Sequence, residues 1–233
     1  MQSEAIIFDG LKLIQDDRFL KLTQDTALLS DFVKLKKNER VFDIGVGIGS
    51  LSILLLVKNK DVYTEGIEII PEAAEIAIKN FENCGFAHRA SVTVGDLKDI
   101  KGRGDDRVDV CVSNPPYFSL SRGKTADIDT VGNSRSEVSA DIYDVVRAAK
   151  NLLKWGGRLY FCYKPERIEA AFDALLKNRF AVKRLRFVHQ RAGDGANLVM
   201  IEARLGGGQW CCVEPPLIVE NEKSLYANCI NGL

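Results

Sequence analysis

The sequence predicts an α/β fold built on one mixed, mostly parallel sheet with antiparallel strands at its C-terminal edge. Three observations carry that expectation. From Arg40 onward, short apolar runs alternate with segments of helical periodicity, the βα rhythm of a parallel sheet. Between the first run, Val41-Phe42-Asp43-Ile44, and the helix after it lies a glycine loop, Gly45-Val46-Gly47-Ile48-Gly49. Near the C-terminal end, apolar runs over 180–188 and 197–203 are joined by a Gly-Asp-Gly turn and read as a hairpin added to the parallel strands.

At 233 residues the chain is long enough for one generous domain with a full hydrophobic core. It divides into an N-terminal hairpin and helix over 1–37, a core over 38–204, and a C-terminal tail packed on that core over 205–233. The 32 basic residues balance the 32 acidic ones. That excludes a nucleic-acid partner held by bulk charge and leaves the work to local basic patches. The 6 cysteines form neither a C-x-x-C pair nor a disulfide ladder, the usage of a reducing compartment, so a cytoplasmic location is expected. With only His88 and His189 available, no metal site is expected. The N-terminus carries no basic flank with a long apolar core, and the apolar run 51–57 is too short to cross a bilayer.

Residues 5–14 are two apolar runs around Asp9-Gly10, a hairpin-turn signal. Ala27, Leu28, Phe32 and Leu35 then recur at helical spacing, with Thr26 or Asp25 as the cap. Lys34, Lys36 and Lys37 suit that helix's C-terminus, or a phosphate contact. Strands are expected over 41–44, 61–67, 91–94, 108–112 and 158–163. A helix over 51–59 follows the glycine loop, and one over 71–81 has Pro71 in its first turn with Ala74, Ile78 and Phe81 on its packed side. Residues 118–136 lack periodicity, and a loop of that length inside a domain is usually functional. The helix over 137–153 has Val138, Ile142, Val145, Val146, Ala149 and Leu153 on its apolar face. Gly156-Gly157 turns the chain into the 158–163 strand, and Pro165-Glu166 opens a further helix through 176. The tail over 206–231, glycine-rich and then Pro-Pro-Leu-Ile-Val-Glu, reads as a terminal strand or an irregular segment.

A dinucleotide loop usually reads Gly-x-Gly-x-x-Gly and sets a pyrophosphate on the helix N-terminus. Here Gly45, Gly47 and Gly49 alternate, with Asp43 immediately upstream. A carboxylate there opposes a pyrophosphate and suits a cationic amino group. Glu68 follows the second strand, where an acid accepts both hydroxyls of a ribose. Asp96 follows the third, in place to accept from an adenine amino group, and Asn114 follows the fourth. An ammonium, a ribose and an adenine in that order describe S-adenosylmethionine. Taken singly, Glu68 also reads as a helix-capping acid, and Asp96 as a cap on the stretch 97–100.

The fourth strand ends in Asn114-Pro115-Pro116-Tyr117. Two prolines fix the backbone and remove two amide donors, so the carbonyls of the segment look outside it for partners. Pro115 also holds Asn114 extended. A carboxamide, a rigid carbonyl and an aromatic ring at a strand end suit a planar, amino-bearing substrate. A proline-rich turn with a tyrosine lid is the plainer reading of the same residues.

On these residues, the stretch 38–204 resembles the class I S-adenosylmethionine-dependent methyltransferases, and Asn114-Pro115-Pro116-Tyr117 resembles the motif of their amino-methylating branch. Almost the whole chain is most similar to the bacterial tRNA1(Val) adenine-N6 methyltransferases. The likeness rests on the N-terminal hairpin, Thr23-Gln24-Asp25-Thr26-Ala27-Leu28-Leu29, the motif with its following Phe118, and Ser134-Arg135-Ser136-Glu137. Ser136 departs from a pattern that often has histidine there. The resemblance implies a Rossmann-like class I methyltransferase fold with a mostly parallel seven-stranded sheet. It implies S-adenosylmethionine as cofactor and methyl transfer to the N6 amine of an adenine in tRNA, at anticodon-loop position 37 of tRNA1(Val). It places Asp25, Ala27, Asp43, Gly45, Gly47, Gly49, Glu68, Asp96 and Asn114 around the cofactor. Asn114, Pro115, Pro116 and Tyr117 become the catalytic set, with the amine donating to the Asn114 side-chain oxygen and the Pro115 carbonyl. Tyr117, Phe118, Arg122, Lys124 and Arg135 fall to the substrate, with Lys34, Lys36, Lys37, Lys183, Arg184 and Arg186 as further basic candidates.

A protein glutamine-N5 methyltransferase presents the same chemistry to Asn-Pro-Pro-Tyr, although such enzymes usually add a helical N-terminal domain. Guanine-N2 methylation, DNA adenine methylation, and a non-catalytic RNA-binding module that keeps the fold are the other readings. No membrane partner is expected, and the oligomeric state is left open.

Overall fold

A computed structural model describes residues 2–7, 10–19, 21–115 and 140–222. The chain starts as an antiparallel hairpin of β1 (Gln2–Ile7) and β2 (Leu11–Asp16), as expected. Helix α1 (Gln24–Phe32) leads into β3 (Arg40–Ile44), α2 (Ser50–Lys58), β4 (Tyr63–Glu68), α3 (Pro71–Asn83), β5 (Ala90–Val94) and β6 (Val108–Ser113). Beyond residue 139 come α4 (Ile142–Leu152), β7 (Leu153–Tyr163), α5 (Ile168–Lys177), β8 (Phe180–His189) and β9 (Leu198–Leu205). The tail adds two-residue strands β10 (Cys212–Val213) and β11 (Leu217–Ile218).

The main sheet runs β5-β4-β3-β6-β7-β9-β8, parallel from β5 to β7, with β9 antiparallel to both neighbours. β10 and β11 both lie parallel on β8, so among the described residues the sheet has nine strands, the expected seven plus these two short ones. The tail thus covers an edge that would otherwise present unpaired backbone groups.

Both faces of the sheet are apolar because successive side chains point opposite ways. Val41, Val110, Val112, Tyr160 and Cys162 pack with Leu28, Phe32, Leu51 and Leu55 of α1 and α2. Phe42, Ile44, Cys111, Leu159 and Phe161 pack with Val145, Ala149 and Leu175 of α4 and α5. A third cluster, through Leu13, Val46, Ile48, Ile53, Ala77 and Phe81, joins β2, α2 and α3 around the glycine loop.

Several local expectations shift. The cap of α1 is Thr23, whose side chain accepts from the Thr26 N–H, and not Thr26 or Asp25, which lie inside the first turn. The helix ends at Phe32 because Val33 is extended (ψ 127°), so Lys34, Leu35, Lys36 and Lys37 belong to the loop before β3. On α3 the packed stripe is Ala73, Ala74, Ile76, Ala77, Asn80 and Phe81, whereas Ile78 falls outside it and is 44% exposed. α4 opens at Ile142 on a reciprocal Asp141–Asp144 capping box, and Val138 lies outside the described residues. β7 begins at Leu153, paired with Val108, and not at Arg158; Gly156 (φ 82°) sits in the irregularity between that pair and Val110–Arg158. Pro165 and Glu166 open a 3₁₀ turn ahead of α5. Among the described residues no helix is long and apolar enough to cross a membrane.

Candidate active site

The strand order reverses at β3, with β4 and β5 on one side and β6 and β7 on the other. At such a point the loops leaving adjacent strands diverge and open a crevice beyond their carboxyl ends. Register pairs Asp43 with both Gly66 and Val112. The loop after Ile44, Glu68 at the end of β4 and Asn114 after β6 therefore arise side by side. Ser113 Oγ reinforces the junction by donating to the Ile44 carbonyl at 2.8 Å.

Gly45, Gly47 and Gly49 have φ of 83°, 57° and 88°, a region in which an L side chain costs roughly 1–2 kcal/mol. A Cβ on Gly45 or Gly47 would meet nothing within 4 Å, so these two leave the backbone of the loop approachable. A Cβ on Gly49 would come within 2.9 Å of the Phe81 ring, so packing of α3 also requires glycine there. The Gly45 and Val46 N–H groups both donate to the Ile67 carbonyl at 3.0 Å. The Gly47 N–H donates to Glu68 Oε2 at 2.8 Å, and Glu68 Oε1 accepts from the Ile70 N–H at 3.0 Å. Glu68 thus shapes the loop while its carboxylate stays at the strand end. Gly66 belongs to the site as well, since a Cβ there would meet Val46 Cγ2 at 2.1 Å and the Asp43 carbonyl oxygen at 2.8 Å. Its only signal in the sequence is a glycine inside a strand.

Asp43 is 1% exposed and accepts from Ser52 Oγ at 2.8 Å. Burial pushes its pKa up to about 7; the Ser52 bond opposes that rise and the Glu68 charge adds to it. Asp96 accepts from the Lys98 N–H at 2.8 Å and caps the 3₁₀ turn Leu97–Asp99, the plainer of its two readings, at the mouth of β5. Asp25 is half-buried in the first turn of α1. Ala27 is buried in the same apolar cluster as Val46 and Ile48 of the glycine loop.

Asn114 is half-buried, with Nδ2 donating to Thr26 Oγ1 at 2.9 Å and Oδ1 accepting from Cys162 Sγ at 3.0 Å. Pro115 is buried beside it. Pro116, Tyr117, Phe118, Arg122, Lys124 and Arg135 lie outside the described residues. Of the other basic candidates, Lys34, Lys36 and Lys37 precede β3 and so sit at the sheet edge opposite the crevice. Arg184 is committed to the fold: it pairs with Glu202 and Glu214, each at 2.9 Å, donates to the Phe32 carbonyl at 2.5 Å, and lies 3.9 Å from the centre of the Phe32 ring. Lys183 donates to the Gly208 carbonyl at 2.5 Å. By contrast, Lys164 and Arg167 follow the carboxyl end of β7, and Arg191 follows that of β8, so they share the crevice edge. Their signal was position after a parallel strand, not charge density.

An approachable glycine loop flanked by a strand-end carboxylate fits the amino-acid and ribose portions of S-adenosylmethionine, and the Gly45, Val46 and Gly47 N–H groups are held by Ile67 and Glu68 rather than offered to a pyrophosphate. The family model of the methyltransferase small domain matches residues 20–187. A tRNA1(Val) (adenine(37)-N6)-methyltransferase of Cronobacter sakazakii is 28% identical over 215 residues, covering 91% of this chain and 86% of that protein. The protein of the same name from Dyadobacter fermentans is 25% identical over 213 residues, covering 91% and 87%. The solved structure of a predicted O-methyltransferase from Agrobacterium tumefaciens matches with a TM-score of 0.67 at 21% identity, over 84% of this chain and 87% of that one, a likeness of fold. The chain belongs to the methyltransferase small domain family.

Proposed function

We propose that this enzyme transfers a methyl group from S-adenosylmethionine to the exocyclic N6 amine of an adenine in tRNA, at anticodon-loop position 37 of tRNA1(Val). The observation that carries the reading is the placement of the Asn114 carboxamide next to the glycine loop at the point where the strand order reverses. In this reading Asp43, Gly45, Gly47 and Gly49 hold the amino-acid end of the cofactor. Glu68 takes the ribose, Asp96 the adenine, and Asp25 and Ala27 close the N-terminal side. The cofactor supplies a methyl group made electrophilic by its sulfonium.

An aromatic amine is a poor nucleophile because its lone pair is delocalised into the ring. Donation from its N–H groups to Asn114 Oδ1 and the Pro115 carbonyl holds the nitrogen and favours pyramidalisation. Such positioning supplies much of the catalysis. No strong base is needed beforehand, since the proton turns acidic only after the nitrogen is alkylated. Tyr117 stacks on the base, worth roughly 1–3 kcal/mol, and Phe118 forms a wall. A base in an RNA loop is splayed out more cheaply than one in a duplex, which favours an anticodon-loop target. Arg122, Lys124 and Arg135, together with Lys164, Arg167 and Arg191 of the crevice edge, supply phosphate contacts that weaken with salt. The tRNA substrate places the enzyme in the cytoplasm, acting as a single methyltransferase domain.

The test is transfer of radiolabelled methyl groups to unmodified tRNA and to a release-factor protein in parallel, followed by mass spectrometry. N6-methyladenine in the tRNA is expected. Label on the protein alone overturns the substrate.

A further inference from the structure

We infer that Thr26 and Cys162 are positioning residues that fix which arm of the Asn114 carboxamide faces the substrate amine. The inference rests on the functional reading above. A carboxamide carries an acceptor oxygen and a donor NH₂ on arms of nearly equal shape. Only the oxygen can accept from an amine; the flipped group would set donor against donor.

Register brings Cys162 to this point, because Ser113 pairs with Phe161 and the next residues are Asn114 and Cys162. Cys162 is fully buried, and its Sγ lies 3.0 Å from Asn114 Oδ1. A protonated thiol donates, so it selects the oxygen. On the other arm, Nδ2 donates to Thr26 Oγ1 at 2.9 Å. The Thr26 hydroxyl is itself 3.1 Å from Thr23 Oγ1, the α1 cap, which accepts from the Thr26 N–H at 3.3 Å. If the Thr26 hydroxyl donates to Thr23, its lone pairs are turned to receive the Asn114 N–H. The donors then run in one direction, from Cys162 to Asn114 to Thr26 to Thr23, whereas a flip requires both hydroxyls to reverse and leaves the amide N–H on sulfur, a weak acceptor. A carbonyl oxygen accepts two hydrogen bonds. The Cys162 thiol marks Oδ1 as the accepting arm, and the inference assigns the substrate amine to that arm.

The experiment uses the full chain with Thr26→Val, Cys162→Ala and the conservative Thr26→Ser and Cys162→Ser. For each, kcat and KM are measured on whichever acceptor the wild type labels, with cofactor affinity by calorimetry and thermal melting. The expected result is a fall in kcat of about tenfold for Cys162→Ala and on the order of a hundredfold for Thr26→Val. KM and cofactor affinity should hold, and both serine variants should restore most of the rate. Undiminished kcat in the valine and alanine variants overturns the inference. So do serine variants as slow as those two, or a loss of cofactor affinity in step with the rate, the mark of a merely structural role. Wild-type enzyme that labels neither acceptor overturns the functional reading and this inference together, whereas normal wild-type transfer with normal variants overturns this inference alone.

Discussion

Asp43 is the group through which pH should act on this protein. It lies in the middle of the sheet, 1% exposed, and burial lifts its pKa from 3.8 to about 7. Between those values the folded state holds a proton that the unfolded state has lost, so stability falls as pH rises through the window. A rise of about 3 units at 1.36 kcal/mol each makes the ionised group cost on the order of 4 kcal/mol in the ligand-free fold. Asp16 and Asp106 respond in the opposite sense: hydrogen bonds from Arg18 and Arg40 hold them low, so their contribution is lost only in acid, below the window. Asp43→Asn keeps the shape and an acceptor for Ser52 while removing the charge. Urea unfolding of ligand-free protein should therefore find the variant's advantage over wild type growing with pH, from about 2 kcal/mol at pH 5 to about 4 kcal/mol at pH 8. Calorimetry at pH 8 should find the same variant binding S-adenosylmethionine more weakly, since stability and a charged site trade against each other here. A stability gap that does not change with pH, or a variant less stable at pH 8, would refute the reasoning.

Asn114→Ala should leave cofactor affinity nearly intact in calorimetry while abolishing label transfer; retained turnover would sink the amine-clamp assignment. Glu68→Gln turns an amide donor toward the N–H of Gly47 or Ile70, a mismatch worth roughly 1–3 kcal/mol, to be read as weaker cofactor binding. Gly49→Ala combines a φ of 88° with the Phe81 contact and should lower thermal stability by at least about 1–2 kcal/mol, whereas a neutral result would deny that the loop is held left-handed. Arg184→Met strands Glu202 and Glu214 and should cost roughly 3–5 kcal/mol in urea unfolding without changing the salt slope of tRNA binding, a slope that Arg191→Ala should reduce.

The body of the sheet was readable because strands buried on both faces are short, mostly apolar runs, and β3 and β6 are that with one internal aspartate each, Asp43 and Asp109. The first half of β7 was not: Lys154, Trp155 and two glycines look like a turn, and only the distant partner Val108 makes them strand. β10 is likewise a strand by virtue of the β8 edge, whereas β11 falls in the Leu-Ile-Val stretch that reads as a terminal strand or an irregular segment. Thr26 and Asp25 were the caps legible at the start of α1, and Thr23 takes the place instead through its extended backbone (φ −113°, ψ 164°). In the candidate site, Asp43, Glu68 and Asn114 could be picked out because they stand at or just past the carboxyl ends of parallel strands, β3, β4 and β6. Ser52, Gly66, Thr26 and Cys162 matter only through register and packing, Thr26 reaching Asn114 across 88 residues and Cys162 across 48.

Helix α1 ties these observations together. It precedes the βα repeat, yet it is fastened to the sheet at both ends. At its start Thr26 accepts from Asn114, and Gln24 accepts from Gln190 in the β8–β9 turn at 3.2 Å. At its end the Phe32 carbonyl is held by Arg184, which β8 supplies and which Glu202 and Glu214 neutralise. A nine-residue helix is about 13 Å long, so the two anchors are a domain feature and not a local turn. If Thr26 sets the direction of the Asn114 carboxamide, then the seat of α1 sets Thr26, and a buried ion cluster at the far end helps to set that seat. Arg184→Met should accordingly slow methyl transfer beyond what its melting temperature explains, although it touches neither cofactor nor substrate. Measured well below its melting transition, a full wild-type kcat in that variant would show that the first turn of α1 is held by Asn114 and Gln190 alone.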